Sequence, residues 1–223
     1  MSQTLEGALV NYLEGYLQDC MICLPAVIIN VRNLEELRVD VQPLPSREFK
    51  DSDTAEYPAL LSVPVIQPSS GNSAVLMPIK QGDTVLLVFS QRNIDTFKGG
   101  ATTAYTPEDR RWMSLQDAVA IVGINPFNKS PNLKSRHTLP HSTSDMVVVH
   151  NLGTPQECEI RMKPSGSLSL TGVNVDFNCK TLNVTGQTNL GKSVRVGDGA
   201  TGEIVDKNGH IISVSNGIIT NIL

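Results

Sequence analysis

The sequence predicts a mainly β protein with an N-terminal helix, a small barrel of short strands and a C-terminal needle of intertwined chains. Three observations predict this fold. Apolar residues recur at helical spacing near the N-terminus, form short runs between turn signals further on, and alternate with small polar residues in the last third. The corresponding parts are residues 1–23 for the helix, 24–127 for the barrel, 128–156 for a linker or neck, and 157–223 for the needle.

The helix is predicted from apolar residues that follow one another at steps of three and four, which places them on one face. Pro25 ends the pattern, since proline cannot continue a helix. The apolar stripe either packs on its own domain or docks on a partner. Its members are Leu5, Ala8, Leu9, Tyr12, Leu13, Tyr16, Leu17 and Cys20.

The barrel is predicted from about five short strands separated by turn signals, a pattern typical of an OB-fold. Pro64 makes its own strand an edge strand or a bulged strand. A second helix is predicted with Ser114 as its N-cap and Asp117 in its first turn. The predicted strands are residues 26–32, the alternating set Leu37, Val39 and Val41, residues 60–66, and residues 84–89.

The needle is predicted from alternating apolar residues between about 168 and 222. The alternation changes phase near Gly172 and again near Lys180, which indicates corners or bulges. One thin chain cannot cover its own apolar face and leaves its strand edges open. Three identical chains wound around a threefold axis cover both, which predicts a trimeric β-helix. A monomeric sandwich stays open as the other interpretation at this point.

Composition and charge restrict the function. The net charge of −4 argues against nucleic acid as a partner, because phosphate binding needs clustered Lys and Arg. The densest basic stretch, residues 129–141, lies among Ser, Pro and Asn and is interpreted as a solvated linker. Cys20 and Cys23 have no second metal-binding pair nearby, so buried, reduced thiols are predicted. Without a signal peptide or a run of roughly 18 apolar residues, the chain is expected to be made in a cytoplasm.

Residues 60–97, LLSVPVIQPSSGNSAVLMPIKQGDTVLLVFSQRNIDTF, resemble the N-terminal domain of the membrane-piercing central spike of contractile-tailed phages. That family has a VPV strand, a Gly/Ser-rich loop, P-I-K-x-G-D, an apolar strand and F-S-x-R-x-I-D. Residues 108–127 continue the order with Arg110-Arg111, Ser-Leu-x-Asp-Ala and a Gly before Pro126. The resemblance implies an OB-fold followed by a trimeric β-helical needle.

The resemblance also implies a role and partners. The chain is expected to be a structural, non-enzymatic virion protein at the tip of the tail baseplate, in a host bacterium. Its partners would be two further copies in a homotrimer, baseplate hub proteins, in some cases a tip-capping protein, and transiently the host outer membrane. Sheath contraction would supply the work of piercing.

The C-terminal end departs from the family. Relatives often end in His-x-His, whose three copies hold a metal ion, commonly iron, whereas this chain has His210-Ile211-Ile212. Asp206 and Asn208 share the inward phase of His210, so three chains would stack polar rings on the axis. Three His210 side chains could bind iron or another metal ion there. A polar layer holding water or a small anion is the preferred interpretation, so no resident cofactor is predicted.

Two other function classes are weighed against the spike. For an enzyme, the carboxylates between residues 48 and 56 and the neighbours His141, Ser142 and Asp145 offer residue types without a convincing arrangement. The alternative function is an OB-fold oligosaccharide-binding module on a trimeric β stalk. Trp112, the single Trp, is predicted to pack at a subunit contact, because few aromatic residues accompany it as a stacking platform.

Overall fold

The computed structural model describes residues 4–48, 54–189, 191, 201–205, 207, 209–215 and 218–222. The chain divides into two compact units, residues 1–170 and 171–223. The N-terminal unit begins with helix α1 (Leu5–Asp19), and a second, short helix α2 comprises Asp95–Lys98. Within the described ranges, no helix is long and apolar enough to cross a membrane.

Fifteen strands are present in the described residues, and they confirm a mainly β fold. Strands β1, β2, β5, β8 and β9 belong to the first sheet, and the others form small sheets. The strands are β1 (Cys23–Asn33), β2 (Arg38–Pro43), β3 (Ser46–Glu48), β4 (Thr54–Glu56), β5 (Leu60–Ile66), β6 (Ser69–Ser70), β7 (Ser73–Ala74), β8 (Thr84–Phe89), β9 (Ala118–Val122), β10 (Met146–His150), β11 (Cys158–Met162), β12 (Leu168–Thr171), β13 (Gly202–Val205), β14 (Ile211–Ser215) and β15 (Ile218–Ile222).

The first sheet closes into a five-stranded barrel in the order β1-β2-β5-β9-β8. All neighbouring strands are antiparallel except β5 and β9, which are parallel. The barrel fits the predicted OB-fold. Its core is formed by alternate residues of each strand, as the period of two requires. The most deeply buried members are Ala26, Ile28, Val39, Val41, Val85, Leu87, Ala118 and Ala120.

Adjacent residues of β1 provide a test of this alternation. Ile28 is 1% exposed and Ile29 is 37% exposed. Ile28→Val removes one buried methyl group and is expected to lower the free energy of unfolding by about 1 kcal/mol. Ile29→Val removes the same atoms from the barrel surface and should change stability by less than about 0.5 kcal/mol. Urea denaturation of both full-length variants measures the difference, and equal losses would contradict the assigned faces.

Strand β5 carries a β-bulge rather than lying at an edge. It pairs with β2 on one side and β9 on the other. Val39 lies opposite Val63 and Val41 opposite Leu60, so two residues of β5 face the single residue Asp40. The second of these, Ser62, has φ 56° and donates its N–H to the Asp40 carboxylate at 2.9 Å. The bulged alternative for this strand is therefore confirmed, and the edge alternative is wrong.

The second helix predicted from Ser114 is wrong beyond its first turn. Ser114 does act as an N-cap, since its Oγ accepts from the N–H of Gln116, but only a 3₁₀ turn at Leu115–Asp117 follows. Strand β9 then begins at Ala118. It pairs with both β8 and β5 and closes the barrel, so pairing on two sides overrides the local helix signal.

The rest of the N-terminal unit contains a three-stranded sheet in the order β10-β11-β12. Strand β10 lies within the predicted linker or neck, and it pairs antiparallel with β11 in the predicted needle segment. The four-part division by residue number stays a prediction.

The C-terminal unit contains a second three-stranded sheet, β13-β14-β15, with antiparallel pairs. No strand is present within its described residues 172–189. Asp206 and Asn208, which are predicted to share the inward phase of His210, lie outside the described residues, as do the alternating apolar residues Leu190, Val194 and Val196 of the predicted needle. The trimeric β-helix stays a prediction.

Candidate functional site

The β10-β11-β12 sheet has one exposed, mainly apolar face, and its opposite face buries two charged side chains of β11. In the β10–β11 register, Val148 lies opposite Ile160 on one face, and Val149 lies opposite Glu159 on the other. The Lys163 N–H donates to the carbonyl of Ser167 at 2.9 Å and sets β12 beside β11 as a hairpin. We call the resulting exposed and half-exposed surface the apolar sheet face. It comprises Met146, Val148, Ile160, Met162, Leu168 and Leu170.

The opposite face of the sheet holds a buried ion cluster. The side chain of Arg161 is only 5% exposed. Its Nε and Nη2 donate to the two carboxylate oxygens of Glu159 at 2.6 and 2.7 Å, and its Nη1 donates to Asp145 at 2.8 Å. Hydrogen bonds with Glu159 and then Asp145 raise the pKa of Arg161. Because these charged groups are paired with one another, the face of the sheet that carries them can be buried in the single chain.

Glu157 anchors the loops beside that cluster. Its side chain is 1% exposed and accepts four hydrogen bonds. The donors are the N–H and Oγ1 of Thr138 at 2.6 and 2.7 Å, the N–H of Gly153 at 3.1 Å, and Nδ1 of His137 at 3.1 Å. Burial raises the pKa of Glu157, but hydrogen bonds from Thr138, Gly153 and His137 outweigh it and hold the pKa at about 2. The carboxylate therefore stays charged in the fold at neutral pH.

His137 and His141 are stacked, with ring centroids 3.8 Å apart and planes within 4°. Nε2 of His137 lies 2.9 Å from the carbonyl of Pro131, so both of its ring nitrogens face acceptors. Nε2 of His141 lies 2.8 Å from Oδ1 of Asn132, while its buried Nδ1 has no hydrogen-bond partner in the described structure. Burial, then the charges of His137 and Arg161, lower the pKa of His141. The solvated-linker interpretation is therefore wrong for these two residues.

The residue types considered for catalysis are not brought together. His141 contacts Asn132 and His137, whereas the Oγ of Ser142 is bonded to that of Ser144. Asp145 pairs with Arg161. Of the other carboxylates, Asp51 and Asp53 lie outside the described residues.

A second ion cluster stabilises the barrel, and its members come from three of the sequence motifs. Arg111 donates to both oxygens of the fully buried Asp117 at 2.8 and 2.9 Å, and also to Asp95 and Asp109. Hydrogen bonds with Asp117 raise the pKa of Arg111. Asp117 accepts in addition from the N–H of Ile94 at 3.1 Å. The I-D, R-R and S-L-x-D-A motifs thus meet at one cluster, which a linear sequence does not reveal.

Helix α1 leaves most of its apolar stripe uncovered. Leu5, Leu9, Leu13 and Leu17 are all exposed in the single chain. Tyr16 contacts its own domain, since its ring lies 6.0 Å from that of Trp112 at a 34° tilt. Thus Trp112 packs within the chain, and the rest of the stripe remains available to a partner.

The residues proposed for a metal are tested only in part. In the described part of the single chain, no group of three or more His, Cys, Asp or Glu could hold a metal ion. A site built from three copies of His210 would need two further chains, so the iron site at His210 stays a prediction. The four cysteines have free thiols, but Cys23 and Cys179 are exposed and Cys20 and Cys158 are only half-buried in the single chain, so the prediction that the thiols are buried is wrong.

Residues 24–123 match the family model described as Phage protein Gp138 N-terminal domain. This range covers nearly all of the barrel. No curated protein matches the chain. The match over the barrel, together with the mainly β fold, supports a phage structural protein and hence a component of the virion.

Proposed function

We propose that this chain forms the trimeric central spike at the tip of a contractile phage tail and pierces the host outer membrane mechanically during injection. The observation that carries the proposal is the apolar sheet face. On its reverse side, Arg161 is paired with Glu159 and Asp145. A single chain therefore buries these ions beside the half-buried Val147 and Val149 and leaves the six side chains of the apolar sheet face exposed or half-exposed, which is unfavourable for a monomeric sheet.

Copies of the same chain are the best cover for this face. The six side chains of the face are uncharged and aliphatic or thioether, so three such faces turned toward a common axis form a dry core. His150, on the same side of β10 opposite Cys158, would lie at the end of that core. The strands β10 and β12 are the edges of their sheet in one chain. Neighbouring copies could pair with those edges and remove an aggregation hazard. The exposed alternating residues continue along the chain as Val173, Val175, Phe177, Leu182 and Val184.

Piercing by such a spike requires stiffness rather than covalent chemistry, so the proposal contains no catalytic step. Residues 208–223 contain no Asp, Glu, Lys or Arg. Since a charged side chain is costly in hydrocarbon, a stretch without charged side chains suits the part of a spike that enters the membrane. The barrel and the exposed stripe of α1 would bind baseplate hub proteins at the other end. A separate tip-capping protein would be a further partner.

The oligomeric state of the full-length chain tests the proposal. Sedimentation velocity is expected to give an elongated particle of three chains, and negative-stain microscopy a rod extending from a wider head. Disruption of outer-membrane vesicles by the spike driven under centrifugal load would add evidence for piercing. A compact monomer in dilute buffer would overturn the trimer and the piercing role with it.

A second candidate function is an oligosaccharide-binding module on a trimeric stalk. A groove of about 860 Å³ beside Trp112 favours it, with Tyr57, Leu61 and Arg47 among the lining residues. Trp112 is the single Trp, so its fluorescence reports on that groove directly. Saturable quenching by host surface oligosaccharides would support the binding module over the purely mechanical spike.

A further inference from the structure

Two arginines of the barrel are left without partners, and both line the same pocket. The side chains of Arg92 and Arg110 make no ion pair or hydrogen bond with the part of the chain that the structure describes. The pocket has a volume of about 550 Å³. The remaining arginines in the described ranges are all engaged; they are Arg32, Arg38, Arg47, Arg111, Arg136 and Arg161.

The walls of the pocket are held in place by its own hydrogen bonds. Asn93 is buried, and its Oδ1 accepts from the N–H of Asp95 at 2.7 Å. Tyr105 donates its hydroxyl to the carbonyl of Asn93 at 3.4 Å. Arg110 follows Asp109, whose carboxylate is bound by Arg111 at 3.1 Å. The residues next to the two unpaired arginines are therefore held in place by hydrogen bonds.

The charge of the pocket selects a monoanion. Arg92 and Arg110 contribute two positive charges, and Asp109 contributes one negative charge. Burial raises the pKa of Asp109, but the backbone N–H of Arg111, the side chain of Asn93 and the charge of Arg111 outweigh it and lower the pKa. Asp109 is thus ionised at neutral pH, and the pocket carries one net positive charge. A carboxylate, with one negative charge, balances that charge, whereas a phosphate dianion would leave one net negative charge in the pocket.

We propose that the Arg92–Arg110 pocket binds a carboxylate side chain or chain terminus of a polypeptide partner. Guanidinium groups donate paired hydrogen bonds that fit the two oxygens of a carboxylate. Ile94, Tyr105 and Pro107 provide apolar surface for the aliphatic part of the partner residue. The hydroxyl of Ser90 can bond to an adjacent peptide group. The inference stands on the barrel alone and does not depend on the spike function.

The arginine Nε–H signals in the NMR spectrum of the full-length protein test the proposal. The probes are N-acetyl-glutamate amide, N-acetyl-glutamine amide and inorganic phosphate, each titrated to millimolar concentrations at constant ionic strength. The signals of Arg92 and Arg110 are assigned by their loss in Arg92→Gln and Arg110→Gln. Arg38, an exposed arginine paired with Glu36, is the internal control.

The glutamate probe is expected to shift the Arg92 and Arg110 signals in a saturable way, with Arg38 unchanged. Arg92→Gln should weaken the response of Arg110 about fivefold, because both groups bind one ligand. Equal shifts with the glutamine probe, equal shifts at Arg38, or an undiminished Arg110 response in Arg92→Gln would overturn the shared carboxylate site. Saturation by phosphate at lower concentration than by the glutamate probe would overturn the carboxylate assignment.

Discussion

Val148→Asp is expected to abolish trimer formation and leave a folded monomeric barrel. Val148 lies in the middle of β10 on the apolar sheet face and is 57% exposed in one chain. An Asp at this position can be hydrated in a monomer. In the proposed trimer, three carboxylates would instead be brought together in a dry interface, at a penalty of several kcal/mol for each unpaired charge. The association constant should therefore fall by several orders of magnitude.

Leu34→Asp is the matched control for this variant. Leu34 is 50% exposed and lies in the turn between β1 and β2 of the barrel. The Leu34→Asp substitution introduces the same negative charge at a similarly exposed position, but away from the proposed interface. Sedimentation velocity should show trimers for Leu34→Asp and monomers for Val148→Asp. Circular dichroism should give strand signals in both. Normal trimers of Val148→Asp would show that the apolar sheet face is not the contact between copies.

The barrel was largely predictable because its strands carry their own signals. Residues 84–89 have five consecutive apolar residues after a Gly-Asp turn, and the predicted bounds are those of β8. Strand β9 was missed because Ala-Val-Ala-Ile-Val follows a helix-capping Ser and an Asp. Its strand state depends on pairing with β5 and β8, which are distant in sequence. Local signals cannot reveal such a contribution.

The ion clusters were not predictable for the same reason. Arg111 and Asp95 are separated by 16 positions, and His137 and Glu157 by 20. No periodicity relates such positions, so their pairing is decided by the fold. The alternation in Cys158–Met162 did contain a signal, since Glu159 and Arg161 must share one face and Ile160 the other. It did not reveal that the charged face is the buried one in a single chain.

The acid sensitivity of the β10–β11 region is expected to depend on Glu157. The hydrogen bonds to this carboxylate lower its pKa to about 2 from an ordinary value of 4.5. A lowered pKa in the fold means that the charged form is the stabilising one. Its contribution is complete above pH 4.5 and is lost progressively as the pH falls toward about 2. Protection factors of the β10 and β11 amides, which correct for the intrinsic pH dependence of hydrogen exchange, should fall over this window in the wild-type protein.

Glu157→Gln is expected to destabilise this region by about 3 kcal/mol at neutral pH, because hydrogen bonds from donors that now reach a charged oxygen would become weaker, neutral ones. The donors are the N–H groups of Thr138 and Gly153 and the Oγ1 hydroxyl of Thr138. Glu108→Gln, an exposed residue without side-chain contacts in the described structure, removes the same charge and should behave as wild type. Hydrogen exchange of the β10 and β11 amides across the pH range measures the effect.

The difference in amide protection between Glu157→Gln and the wild type should narrow as the pH falls below 4.5, since protonation of Glu157 removes the advantage of the wild type. A difference in protection that is constant down to pH 2 would mean that the charge of Glu157 does not stabilise the fold.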